Sequence, residues 1–204
     1  MRVWAYICIV SACSLSVAVP DRPSLAQQTA ADMLEKARVR AREIEEMKAV
    51  LSGPDQNMRL AVFDIMVKSG DQAMRDVAVD VGLASADSLL SSMALREAVL
   101  SLDRLIINVE LQEDQPQKGR QVAESWLSTF GDTYTLSLRS VDRSAGTFKG
   151  PSGSDNGEVA GSMVTFKYGN DTGLLTLEDD STLSGEVSVY RSGIGKLRAR
   201  ARIR

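Results

Sequence analysis

The feature that most constrains this chain is a repetition. Ser-Gly-Pro-Asp, Ser-Gly-Asp and Ser-Ala-Asp recur between Ser52 and Asp87, and they place Asp55, Asp71 and Asp87 sixteen residues apart. Apolar residues follow each aspartate at spacings of three and four: Met58, Ala61, Val62, Ile65 and Met66, then Met74, Val77, Ala78 and Val81, then Leu89, Leu90, Met93, Ala94, Val99 and Leu100. That spacing predicts helices with one apolar face. Each aspartate stands where an N-cap belongs, its carboxylate facing the unpaired N–H groups and the positive end of the helix. Gly53 and Gly70 suit the intervening turns. The period is therefore one short helix plus one turn. Helices this short do not hold together alone, so neighbours must stack and share a core. Met33, Ala37, Ala41, Ile44, Met47 and Leu51 predict another helix upstream, with Lys36, Arg38, Arg40 and Arg42 in its middle.

Two units make a helical hairpin of 32 residues, and residues 33–104 resemble the HEAT family of helical repeats. The resemblance rests on Asp-x-x-x-Arg at Asp55/Arg59 and Asp71/Arg75, followed by Ala61 or Ala78. The third block departs from it, with Ser91 at the arginine position and Arg96 arriving late. The period is also shorter than the usual ~40 residues or more of that family, and a generic helical bundle is the alternative. The resemblance implies a stacked helical layer of the kind that commonly binds proteins; it implies no catalytic residue.

After Leu102 the pattern changes. Residues 104–111, RLIINVEL, are rich in β-branched side chains and suit a strand; residues 112–119, QEDQPQKG, read as a loop or linker. RQVAESWLSTF, with Val122, Trp126, Leu127 and Phe130 on one side, predicts a further helix. From Thr133 the period is two. TYTLSLRSVD, EVAGSMVTFKY, TGLLTLE and LSGEVSVY alternate between turn signals. An apolar-x-Gly pattern at Gly150, Gly161 and Gly185 marks expected bulges or close backbone approaches. The fold class is therefore α+β: a helical-repeat bundle followed by an antiparallel β-meander, as a curved sheet or open barrel. The expected divisions are 1–26 leader, 27–111 helical repeats, 112–132 linker with a possible helix, and 133–204 β-domain.

The leader reading rests on Arg2, an uncharged stretch from Val3 to Val19, and small residues at Ser24 and Ala26, the order of an export signal cleaved between Ala26 and Gln27. A membrane anchor is the alternative, at the low edge of the roughly 20 apolar residues a span requires. Val10-Ser11-Ala12-Cys13 resembles a bacterial lipoprotein box, which makes lipidation at Cys13 a minor alternative. Cleavage would remove both cysteines and leave a mature chain without disulfides, in the periplasm or secreted.

The chain contains no histidine, and its formal net charge of −3 does not suit a nucleic-acid binder. Triads built on histidine, thiol nucleophiles and typical zinc sites are excluded from the mature chain. No metal site or cofactor is implied. The candidate binding residues lie in the C-terminal KLRARARIR, where Lys196, Arg198, Arg200, Arg202 and Arg204 alternate with apolar residues. On a strand these five cations share one face. They suit an anionic envelope component or an acidic protein surface, with Glu178 and Glu186 as possible internal partners. The plainer expectation is a solvated face whose charges guard an edge strand. Asp155, Glu158, Glu178, Asp179 and Asp180 are expected as turn residues, with calcium ligation or an acid/base pair as lesser readings. Trp126, Tyr134, Phe166, Tyr168 and Tyr190 offer stacking surface for sugars if exposed, and core if not. The sequence thus favours an exported, non-enzymatic envelope protein that binds protein through its helices and an anionic or protein partner through the arginine stripe. The alternative is a periplasmic hydrolase of an envelope polysaccharide that works through loop carboxylates.

Overall fold

The computed structural model describes residues 30–179 and 181–203. The leader, its cleavage site at Ala26, Cys13, Asp180 and Arg204 lie outside the described residues. Helix α1 spans Ala30–Leu51, and its first part, residues 30–40, belongs to a separate unit from the compact body at 41–204. No described helix is long and apolar enough to cross a membrane.

The repeat builds α2 (Gln56–Lys68), α3 (Gln72–Leu83) and α4 (Ser88–Leu100). All three aspartates are N-caps in extended conformation. Asp55 accepts from the Met58 N–H at 3.2 Å, Asp71 from the Met74 N–H at 3.0 Å, and Asp87 from the Leu89 and Leu90 N–H groups at 3.0 and 3.3 Å. The Asp87 carboxylate also accepts from the Arg59 guanidinium and the Gln56 amide, so the starts of α2 and α4 are tied together. This links positions two repeats apart.

The apolar face of α2 is only partly the one the spacing predicts. Val62, Phe63 and Met66 are buried, while Met58, Ala61 and Ile65 face solvent. The choice follows from α3 and α4, which pack on the Phe63 side. In α3, Met74 and Ala78 are buried as expected, together with Val79 and Leu83. In α4 nearly the whole second half is buried, because it is covered by α3 on one side and reaches the sheet on another.

The chain then forms β1 (Arg104–Leu111), α5 (Gln117–Phe130), β2 (Thr133–Ser137), β3 (Ser140–Asp142), β4 (Thr147–Lys149), β5 (Asn156–Ala160), β6 (Met163–Tyr168), β7 (Asp171–Leu177), β8 (Thr182–Tyr190) and β9 (Ile194–Arg202). The strands make one antiparallel sheet in the order β2-β1-β9-β8-β7-β6-β5-β4-β3. Its first and last strands are consecutive in sequence, joined only by Leu138 and Arg139. The sheet must therefore curl until its two ends approach, which gives a half-barrel. Two tyrosines brace the curl: Tyr168 on β6 donates to the Ser137 carbonyl at 2.6 Å, and Tyr134 on β2 donates to Asp171 at 3.3 Å.

The inner face carries a continuous apolar core shared with the helices. Tight curvature is met by setting glycines beneath aromatic rings. Gly157 pairs with Phe148 and Gly173 with Phe166, and a Cβ on either glycine would fall 2.2 or 2.1 Å from the facing ring. Helix α5 closes this face at β9. Ala123 and Trp126 are buried there, and a Cβ on Gly195 would lie 2.5 Å from the Ala123 nitrogen.

Three expectations shift in detail. Residues 104–111, grouped in sequence with the helices, pair into the sheet between β2 and β9. Residues 117–119 of the expected linker are the first turn of α5. The single alternating run TYTLSLRSVD divides into β2 and β3, because Leu138–Arg139 is where the chain crosses from one end of the sheet to the other; EVAGSMVTFKY likewise folds back at Gly161, which has φ +58°.

Candidate functional site

The arginine stripe lies on β9, and the alternation places Leu197, Ala199, Ala201 and Ile203 in the core and Lys196, Arg198, Arg200 and Arg202 on the outer face. Arg204 lies outside the described residues. β9 is an interior strand, paired along its length with β8 and partly with β1. The cations therefore do not guard an edge, and that expectation is corrected.

Their surroundings divide them into two pairs. Lys196 reaches Glu186 at 2.8 Å, and Arg198 reaches Glu110 at 3.5 Å, both across strands. Arg200 is flanked by Asn108 and Ser184, and Arg202 by Thr182. Neither has a carboxylate partner among the described residues. Both are exposed, and a guanidinium fork can receive carboxylate or phosphate in two-point contact. The strand is held from both sides between Leu197 and Arg200, while Arg202 lies past the β1 pairing and is held by β8 alone. Beyond the end of β1, the Gln115 side chain takes over as partner: its amide donates to the Lys196 carbonyl and its oxygen accepts from the Lys196 N–H, each at 2.9 Å.

The loop carboxylates are not gathered. Asp155 is buried and ties its own turn to the β6–β7 turn, accepting from the Ser152 N–H at 3.0 Å and the Gly169 N–H at 2.9 Å. Glu158 is exposed on the outer face opposite Thr147 and Thr165. Glu178 and Asp179 lie at the β7–β8 turn, and the strand lattice sets Glu158 and Glu178 on the order of 15 Å apart. Glycoside cleavage uses carboxyl groups about 5–10 Å apart. Among the described residues no group of three acidic side chains forms that could hold a metal ion.

The aromatic residues are mostly structural. Phe130, Trp126, Tyr134, Phe166 and Tyr168 form a ladder with ring spacings of 5.1, 5.8, 5.8 and 6.1 Å. Trp126, Tyr134 and Phe166 are buried, and only Tyr190 of the aromatics named as stacking candidates is exposed. Burial, and then the nearby Asp171 charge, push the Tyr134 phenol well above its ordinary range. Burial, followed by Asp155, pushes Tyr168 up to about 12.

A second constellation was not assembled by sequence reasoning. Arg75 and Arg143 converge on Glu97, at 3.6 and 3.4 Å, with Arg96 beside them. Arg75 and Arg96 were noted only as members of the repeat. Arg143, in the β3–β4 turn, carries no local signal, since only the curl of the sheet brings it to the helices. No family model, curated protein or solved structure matches this chain.

Proposed function

We propose that this chain is an exported, non-enzymatic binding module of the bacterial envelope, which engages an anionic partner through the outer face of its half-barrel. The observation that carries the reading is the pair Arg200 and Arg202: exposed, regularly spaced and in no ion pair with a described carboxylate, beside a second pair whose charges are already met by Glu186 and Glu110. The partner's chemistry follows from the donors, namely phosphate or carboxylate groups repeated along a surface, as in anionic lipid headgroups, acidic glycans or an acidic protein face.

The helical layer supplies the protein-binding face of the proposal. Met58 and Ile65 project from α2 into solvent, with Ala61 between them at helical spacing, and Leu89 is exposed at the start of α4. An apolar line of this kind suits contact with another protein.

Retention of the purified protein on isolated envelope fractions, at low and high salt, tests the proposal. The parent is expected to bind in a salt-sensitive way. Arg200→Gln/Arg202→Gln, at unchanged helicity and melting, should weaken binding by about 2 kcal/mol, roughly thirtyfold, at about 1 kcal/mol per cation near an anionic surface. Equal retention of parent and variant would refute the stripe as the contact.

A further inference from the structure

The convergence of Arg75, Arg96 and Arg143 lies at a cleft of about 510 Å³ between the helices and the β3–β4 turn. One wall is apolar, formed by Phe63, Val67 and Met93. At the mouth, Lys68 and Asp64 neutralise each other at 2.7 Å. Deeper in, the guanidinium groups of Arg75 and Arg143 share one carboxylate, Glu97, whose side chain is only 10% exposed, and Arg96 lines the cleft beside them. Arg96 is the poorly satisfied member. Its Nε is buried without a hydrogen bond and its Nη1 reaches the Ser144 carbonyl only at 3.5 Å, whereas the buried Arg75 Nε, also short of a hydrogen bond, at least faces a Glu97 oxygen at 3.6 Å. Arg96 has no ion pair among the described residues.

Buried donors without acceptors are costly, and a cationic excess beside an apolar wall raises that cost. A ligand that brings an anionic head relieves it, and an attached hydrocarbon body covers the wall. The volume falls within the range of small-molecule sites. We infer that this cleft binds a small amphipathic anion, with its carboxylate or phosphate head on Arg96 and Arg143 and its short apolar body against Phe63, Val67 and Met93. The site is separate from the stripe on β9, and the inference does not depend on the envelope reading.

The test uses the purified full-length protein with octyl phosphate and octanoate as probes, and with octanol and inorganic phosphate as controls for body and head alone. Calorimetric titration should show saturable binding of at least one amphipathic anion, with each control about tenfold weaker or more. Arg96→Gln should weaken that binding about tenfold, the loss of one charge-assisted contact. Should the variant fail to fold, side-chain N–H resonances of the parent decide the question: probe-dependent shifts at the Arg96 and Arg143 Nε–H support the cleft. No saturable binding by either amphipathic probe overturns the inference. So do shifts confined to Arg200 and Arg202, or an Arg96→Gln variant that binds as the parent does.

Discussion

Gly157→Ala is the sharpest test of how this sheet is packed. A methyl group at Gly157 would lie 2.2 Å from Phe148 Cζ, 2.6 Å from Cε2 and 2.8 Å from Cε1. Carbon atoms settle at about 3.5–4.0 Å, so the ring must retreat by more than ~1 Å. It has little room: Phe148 is 1% exposed and among the largest fully buried side chains. Overpacking of this kind costs about 1–3 kcal/mol. Alanine recovers roughly 0.5–1 kcal/mol of the conformational entropy that glycine loses in a strand. The net expectation is a loss of about 1–2 kcal/mol, read as a lower urea midpoint with unchanged slope. The cycle with Phe148→Leu separates a local clash from a general weakness of the strand. With the ring gone, Gly157→Ala should become neutral or stabilising, a coupling of about 1 kcal/mol or more. A neutral single substitution, or strict additivity with Phe148→Leu, would refute the packing argument.

Other consequences concern acid, base and the helical layer. The Arg59 guanidinium, helped by the Leu90 and Leu89 N–H groups and the Gln56 amide, holds the Asp87 carboxyl down at about 2 against the opposing effect of burial. An unfolded aspartate ionises near ~3.9, so this contribution is complete above about pH 4 and fades as pH falls toward 2. Asp87→Asn keeps the cap but loses the charge; its melting deficit should be constant near neutrality and close in acid, and a deficit unchanged in acid counts against the linkage. At the other extreme, the raised Tyr168 phenol keeps its full contribution below pH ~10 and loses it as pH rises through about 12. Tyr168→Phe should therefore remove a late phenolate absorbance step and the brace to Ser137; loss of an early step instead would contradict its burial.

The sequence exposed what is local and hid what depends on curl. The aspartate caps, the three repeat helices and the alternation of β9 were all legible, because capping and side-chain periodicity act within a few residues. The core face of α2 was legible only in part, at Val62 and Met66. Its apolar residues surround more than one side, and only packing decides between Ile65 and Phe63. Gly150 and Gly185 were flagged by pattern and do make close approaches, Gly150 to the Tyr168 ring and Gly185 to the Leu174 carbonyl. Gly157 and Gly173 went unmarked, since their partners Phe148 and Phe166 are identified only by strand register. The stripe residues were readable as a face; which of them are paired was not, because Glu110 arrives from β1, far along the chain. Arg143 reaches Glu97 for the same reason, through the closure of the sheet.

The most direct test of the central claim compares two variants of equal charge: Arg200→Gln/Arg202→Gln, which removes the unpaired cations, and Lys196→Gln/Arg198→Gln, which removes those already matched by Glu186 and Glu110. Binding to isolated envelope fractions at low salt is the measurement. The account predicts a loss of roughly thirtyfold for the first and a much smaller one for the second. Equal losses would mean that only total charge matters, and no loss in either would remove the outer face of β9 from the function.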